Sequence, residues 1–205
     1  LYNKISEYVL ELVKAGSELE WVDAVRVADD AFSYTGPIYP VWFMEELYIP
    51  WHRRFSNAAR ARGKKAILHT DGDLRSLGYF EKLSEIYDGI HPLDLRSKST
   101  PDDAMEWVDE VAELRSIAGS TVFHTGVPID LLMVDDVREA DIIRVVSRFL
   151  ERHGKRFLVL SVTHRPYPGR SFSEPAVLSK VNALRRLFNL KEVELPRDIL
   201  PSNSY

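Results

Sequence analysis

The chain has 205 residues, 45% of them hydrophobic and 28% charged, and a net charge of −4; this is enough for one cored domain and supplies no broad basic surface for nucleic acid or an acidic membrane. The lack of any cysteine excludes disulfides, thiolate nucleophiles, iron–sulfur clusters and thiolate zinc sites. No apolar run approaches the ~20 residues of a membrane span and no signal peptide leads the sequence, so the expected location is cytoplasmic.

The sequence opens at Leu1 directly in helical periodicity, with Ile5, Tyr8, Val9, Leu12 and Val13 on one face. A start without Met, already inside a helix, suggests a chain that begins mid-domain. An extended run from Trp21 to Ala28 ends in Asp29-Asp30, and a loop with Gly36, Pro37 and Pro40 follows. Phe43, Leu47, Trp51, Phe55 and Ala58 then recur at helical spacing, with Pro50 predicting a kink or break. Ala66 to His69 reads as a strand closed by the turn Thr70-Asp71-Gly72-Asp73, and Leu77, Phe80 and Leu83 as the next helix. Asp88 to Pro92 and Thr121 to His124 are further strands, each followed by a helical stripe. Arg156 to His164 is expected to be the longest strand; Val177, Val181, Leu184 and Phe188 line the last helix. Residues 1–188 form the folded part, and 189–205, with two prolines, an extended tail.

Alternation of strands and helices implies parallel strands joined by right-handed crossovers. The strand ends at Asp29, His69, His91, His124 and His164 recur about every 20–40 residues, which suits successive units of an eight-unit (β/α)8 TIM barrel. The chain would supply roughly the last five units. A doubly wound sheet competes, but no glycine-rich phosphate loop follows any strand.

In either fold the carboxyl ends of parallel strands gather at one mouth. Four of the six histidines, His69, His91, His124 and His164, occupy that position, where imidazoles suit proton transfer or ligand binding. Of Asp29 and Asp30, one must point toward the mouth axis and the other away. His69 and Asp71, two apart on an extended segment, can project together; with His164 they make a two-histidine, one-carboxylate set for zinc or another divalent ion. His52 and His153 fall on helices and are expected to face solvent. So are the basic residues Arg53, Arg54, Arg60, Arg62, Lys64 and Lys65. Trp42, Phe43 and Trp51 offer an apolar contact for a possible homodimer.

Taken in order, Val27-Ala28-Asp29-Asp30, Gly36-Pro37, His69-Thr70-Asp71-Gly72, Asp88-Gly89-Ile90-His91-Pro92, Gly126-Val127-Pro128 and Val162-Thr163-His164-Arg165-Pro166-Tyr167-Pro168 resemble the uroporphyrinogen decarboxylase superfamily across roughly residues 20–188. The resemblance implies a β/α barrel and one of two chemistries. The first is decarboxylation, without cofactor, of a carboxylated tetrapyrrole or related small carboxylate. There His164 and Asp30 would contact substrate, a mouth histidine such as His69 would move a proton, and Asp29, His91, His124 and Tyr167 would complete the binding surface. The second is methyl transfer from a corrinoid protein partner to a thiol, through zinc held by a His-x-Cys pair and a later cysteine. Here His69-x-Asp71 and His164 stand in those places, a harder donor set that would activate a thiol less. A non-catalytic ligand-binding module is the remaining alternative.

Overall fold

The computed structural model describes residues 1–195. Helix α1 (Tyr2–Ser17) leads into strand β1 (Ala24–Asp29), followed by a small antiparallel hairpin of β2 (Phe32–Ser33) and β3 (Gly36–Pro37). A helical segment then runs through α2 (Val41–Phe43), a π-helical turn (Met44–Tyr48) and α3 (Ile49–Arg60) to β4 (Lys65–Thr70). Next come α4 (Tyr79–Ile86), β5 (Gly89–Pro92), α5 (Pro101–Ile117), β6 (Val122–Val127) and the short α6 (Ile129–Met133). Helix α7 (Glu139–His153), β7 (Leu158–Val162) and α8 (Pro175–Leu187) follow.

The fold is mixed α/β: five parallel strands in the order β1-β4-β5-β6-β7, flanked by helices. Spatial order equals chain order, so each crossover steps one place in the same direction. The doubly wound alternative would reverse direction once. Among the described residues β1 and β7 have no strand on their outer sides.

Burial alternates along the strands as the two-residue period requires. Val27 on β1 and Ala66, Leu68 and Thr70 on β4 are buried on one face. Arg26, Ala28, Ile67 and His69 lie on the other and are half-buried or exposed. The buried face packs against the helices. Ile142, Val145, Val146 and Phe149 of α7 are fully buried, and Phe149 stacks on Trp107 of α5 at 5.7 Å. Each such large side chain contributes ~1.5–3 kcal/mol by leaving water. Helix α5 starts cleanly because Thr100 and Asp103 form a reciprocal capping box ahead of Pro101.

Several sequence expectations change. Strand β7 is five residues long, shorter than the six of β1, β4 and β6, because Phe157 at φ 54 interrupts the extended backbone before it. Pro50 sits inside a helical run that continues from residue 41 to residue 60, and the irregularity expected there takes the form of a π-helical turn directly before it, closed by Ile49 donating to the Met44 carbonyl. The apolar stripe of α1 is split: Ile5, Tyr8 and Leu12 are exposed, whereas Val13 is buried together with Ser6, Leu10 and Ser17, and Val9 is half-buried against the core. His52 and His153 do not face solvent; they are only 2% and 7% exposed. His52 is held by hydrogen bonds described below, and His153 stacks on Phe149 with ring centroids 5.2 Å apart. Trp51 is also buried, leaving Trp42 as the exposed aromatic of the expected contact patch.

The start of the tail is fastened to α8, with Asn182 exchanging two hydrogen bonds with the backbone of Val193; residues 196–205 lie outside the described residues. Among the described residues no helix is long and apolar enough to cross a membrane.

Candidate metal and ligand site at the strand ends

Parallel register places the candidate residues side by side. Ala28 pairs with His69 and His69 with His91, so the side chains of His69 and His91 stand next to each other on the open sheet face. Their rings stack with centroids 4.8 Å apart, and their Nδ1 atoms are 2.6 Å apart. The Nε2 of His91 lies 3.1 Å from the Val162 carbonyl on β7. Burial pulls His91 down to about 4, with His69, Arg26 and His124 adding to the effect against the Val162 hydrogen bond. It is therefore neutral at physiological pH.

Asp30, His69 and Asp71 each offer a ligand atom, all within 4.8 Å of one another. The turn bearing Asp71 is fixed by close packing. Gly72 has φ 95, and a Cβ there would come within 2.6 Å of the Phe32 backbone. Only glycine lets the β2–β3 hairpin settle on this turn, where the Asp73 amide donates to the Ser33 carbonyl at 2.8 Å. Asp71 Oδ1 is buried without a hydrogen-bond partner. Burial raises the Asp71 carboxyl above its ordinary range; Asp94 and Asp30 add to this, while His69 and His164 oppose it. His164 donates from Nδ1 to the Arg165 carbonyl at 3.0 Å and brings Nε2 to 3.8 Å from Asp71 Oδ2.

Two cavities adjoin this cluster. One of about 500 Å3 contains Arg26, Asp30, His69, Asp71, His91 and His164, with Arg165 also on its wall. The second, about 430 Å3, shares Asp71 and His164 and adds Tyr34, Asp94, Asp130 and Tyr167. Its far wall is an ionic arch. Fully buried Lys98 sits between Asp94 and Asp130, lying 3.4 Å from the latter. Tyr34 donates to Asp94 at 3.1 Å and Tyr167 donates to Asp130, tying three loops and helix α6 together. Burial and the adjacent carboxylates push both phenols well up, so they remain protonated donors.

Asp29 and Asp30 divide as strand alternation requires. Asp30 joins the mouth cavity, whereas Asp29 turns toward the helices. There it accepts from Tyr48, from the Ala31 amide and from His52 Nε2 at 3.1 Å, while Tyr87 donates to His52 Nδ1 at 2.7 Å. Burial pushes the Asp29 carboxyl up, but His52 and the Ala31 amide outweigh it and hold it below the usual range. A depressed carboxyl stabilises the fold above its unfolded pKa, and that stability is lost as pH falls through the folded value. Acidification below pH ~4 should thus lower the melting temperature of wild type more steeply than that of Asp29→Asn. Parallel acid limbs for the two would contradict this role.

His124 stands on the open face but lines a separate concavity of about 770 Å3 with Ile67, Gly89 and Val159. Burial first, and Arg26 second, lower its pKa. Sequence reasoning missed Arg26, Tyr34, Asp94, Lys98, Asp130 and Arg165. Arg26 had a signal, since it alternates with Val25 and Val27 on β1 and must face the other side. No family model matches the chain, and no curated protein matches it.

Proposed function

We propose that the chain supplies five consecutive units of a β/α barrel of the uroporphyrinogen decarboxylase superfamily, and that its strand-end mouth acts through a divalent metal on a small carboxylate-bearing substrate. The barrel reading is supported by the unreversed strand order, the single buried sheet face and the open outer edges of β1 and β7. Further strands would close those edges and cover the open face.

One observation carries the metal reading: Asp30, His69 and Asp71 converge within 4.8 Å. Two carboxylates and an imidazole suit zinc, manganese or ferrous iron. The unpartnered Asp71 Oδ1 fits the same reading, since a buried carboxylate oxygen needs a cation or a donor. His164, beside Asp71, is placed to join the set or to hold a proton at Nε2. When bound, such an ion supplies Lewis acidity that stabilises a deprotonated thiol or water. Arg26 and Arg165, on the same cavity, are the groups for a substrate carboxylate.

These residues favour a metal-dependent reaction over cofactor-free decarboxylation of a tetrapyrrole. The methyltransferase branch of the resemblance, with its corrinoid partner, is the metal-using form of it, although two carboxylates and one imidazole would activate a thiol less than that branch's cysteine ligands. Asp30, Asp71, Asp94 and Asp130 crowd the two cavities and would repel a substrate with several acidic arms. Arg26 and Arg165 are the observation that keeps the decarboxylase reading as second. Elemental analysis of protein purified without chelator should find close to one divalent metal per chain, lost in Asp30→Ala and Asp71→Ala. Metal-free protein that fails to take up zinc, manganese or iron on equilibrium dialysis would exclude the metal reading.

A further inference from the structure

We propose that His52, beneath the sheet, is a positioning residue for Asp30 at the mouth, acting through Asp29 on the backbone turn from which Asp30 projects. Asp29, paired with Thr70, is the last residue of β1 in the ladder with β4, so Asp30 stands one residue beyond it. The chain is nonetheless held on both sides of Asp30. Asp29 Oδ1 accepts from the Ala31 amide at 3.2 Å, a hydrogen bond that closes a turn around Asp30. Asp29 Oδ2 lies 3.1 Å from His52 Nε2 and accepts from the Tyr48 hydroxyl at 3.1 Å. Ala31 and Phe32 are buried, and the Phe32 ring meets that of Tyr48 edge-on at 6.1 Å. Asp30 is the one exposed residue of the run 29–32, and it lines the mouth cavity.

His52 itself is fixed from two further directions. Its Nδ1 meets the Tyr87 hydroxyl at 2.7 Å, and its ring lies against Tyr48 with centroids 4.0 Å apart. The contacts therefore run from Tyr87 through His52 to Asp29, and by way of the Ala31 amide to the backbone on either side of Asp30. A ligand held in this way is pre-set for a metal, because outer contacts fix the orientation of the groups that bind it. A histidine that only filled the core would affect Asp30 no more than any other residue. The consequence for metal binding rests on the metal reading given above, whereas the bracing of the turn rests on these contacts alone.

Two readouts separate positioning from core filling. In metal-free protein, His52→Leu should strip hydrogen-exchange protection from the Ala31 amide, while the ladder between β4 and β5 keeps its own. Zinc affinity, measured by competition with a chromophoric chelator, should fall roughly 10-fold, the lower end of the cost of losing an outer partner, because the effect passes through the backbone. His52→Gln, whose amide can meet both Asp29 and Tyr87, should recover most of both losses. Tyr48→Phe removes one hydroxyl bond to Asp29 and keeps the ring, so it should show both losses in smaller measure even where His52→Leu fails to fold. Ala31 protection or zinc affinity left at its wild-type value in folded His52→Leu would overturn the proposal, even with a lower melting temperature. If wild type takes up no zinc, the metal reading falls, and Ala31 protection alone decides whether His52 braces the turn.

Discussion

Replacing Asp71 by asparagine should weaken zinc binding by on the order of 100-fold or more while leaving the melting temperature of the metal-free protein unchanged or higher. Loss of an outer partner alone costs 10–100-fold in affinity, and Asp71 is placed as a direct ligand. The stability half of the expectation comes from its raised pKa. Burial, with Asp94 and Asp30 nearby, disfavours its ionised form despite His69 and His164. A carboxyl whose folded pKa lies above its unfolded value weakens the fold at neutral pH, where it must be ionised. An amide of the same shape removes that charge and can donate a hydrogen bond. Zinc titration followed by calorimetry, together with thermal melts of stripped protein, separates the two effects. Unchanged affinity with a lower melting temperature would mean that Asp71 is a structural residue of the turn.

The largest expected stability effect lies at Lys98. Its ammonium group is fully buried between Asp94 and Asp130, and it also donates to the Arg96 carbonyl at 2.9 Å. Lys98→Met keeps the length of the side chain but leaves two largely buried carboxylates facing each other without a cation. Removing one partner of a buried ion pair costs about 3–5 kcal/mol. At roughly 2–4 °C per kcal/mol for a chain of this size, the melting temperature should fall by roughly 6–20 °C. Adding Asp94→Asn and Asp130→Asn to Lys98→Met should restore most of the loss, because the uncompensated charges go with it. A drop below about 1 kcal/mol in the single variant would show that the arch contributes little to stability. Tyr34 and Tyr167 hang from the outer oxygens of the two aspartates, so this change should also loosen the wall of the second cavity.

Local pattern made the strands and the mouth legible, and distance in sequence hid most of what holds them. His69 and His91 were readable because a short apolar run followed by a turn marks a strand end regardless of the rest of the chain. Alternation alone required Asp29 and Asp30 to part company, but not which would face the mouth. That was decided by His52, Tyr48 and Tyr87, which receive Asp29 beneath the sheet. The same contacts explain why His52 looked solvent-facing. Its position on a helix was legible, but its partners lie 23 and 35 residues away in opposite directions. The Lys98 arch joins residues from three loops and helix α6 and leaves no periodic trace. His164 was expected to complete the metal set with His69 and Asp71. In the fold Asp30 joins those two within 4.8 Å, and His164 stands beside Asp71 at 3.8 Å. Strand pairing, rather than spacing along the chain, brings Asp30 there, since β1 lies directly against β4.

Anomalous diffraction from a zinc-soaked crystal would locate the ion and its ligands together. One strong zinc peak is expected at the strand ends, bonded to Asp30, His69 and Asp71, with Arg26 and Arg165 on the wall of the same cavity. A mouth without zinc at saturating metal, or zinc held there by other residues, would contradict the metal reading.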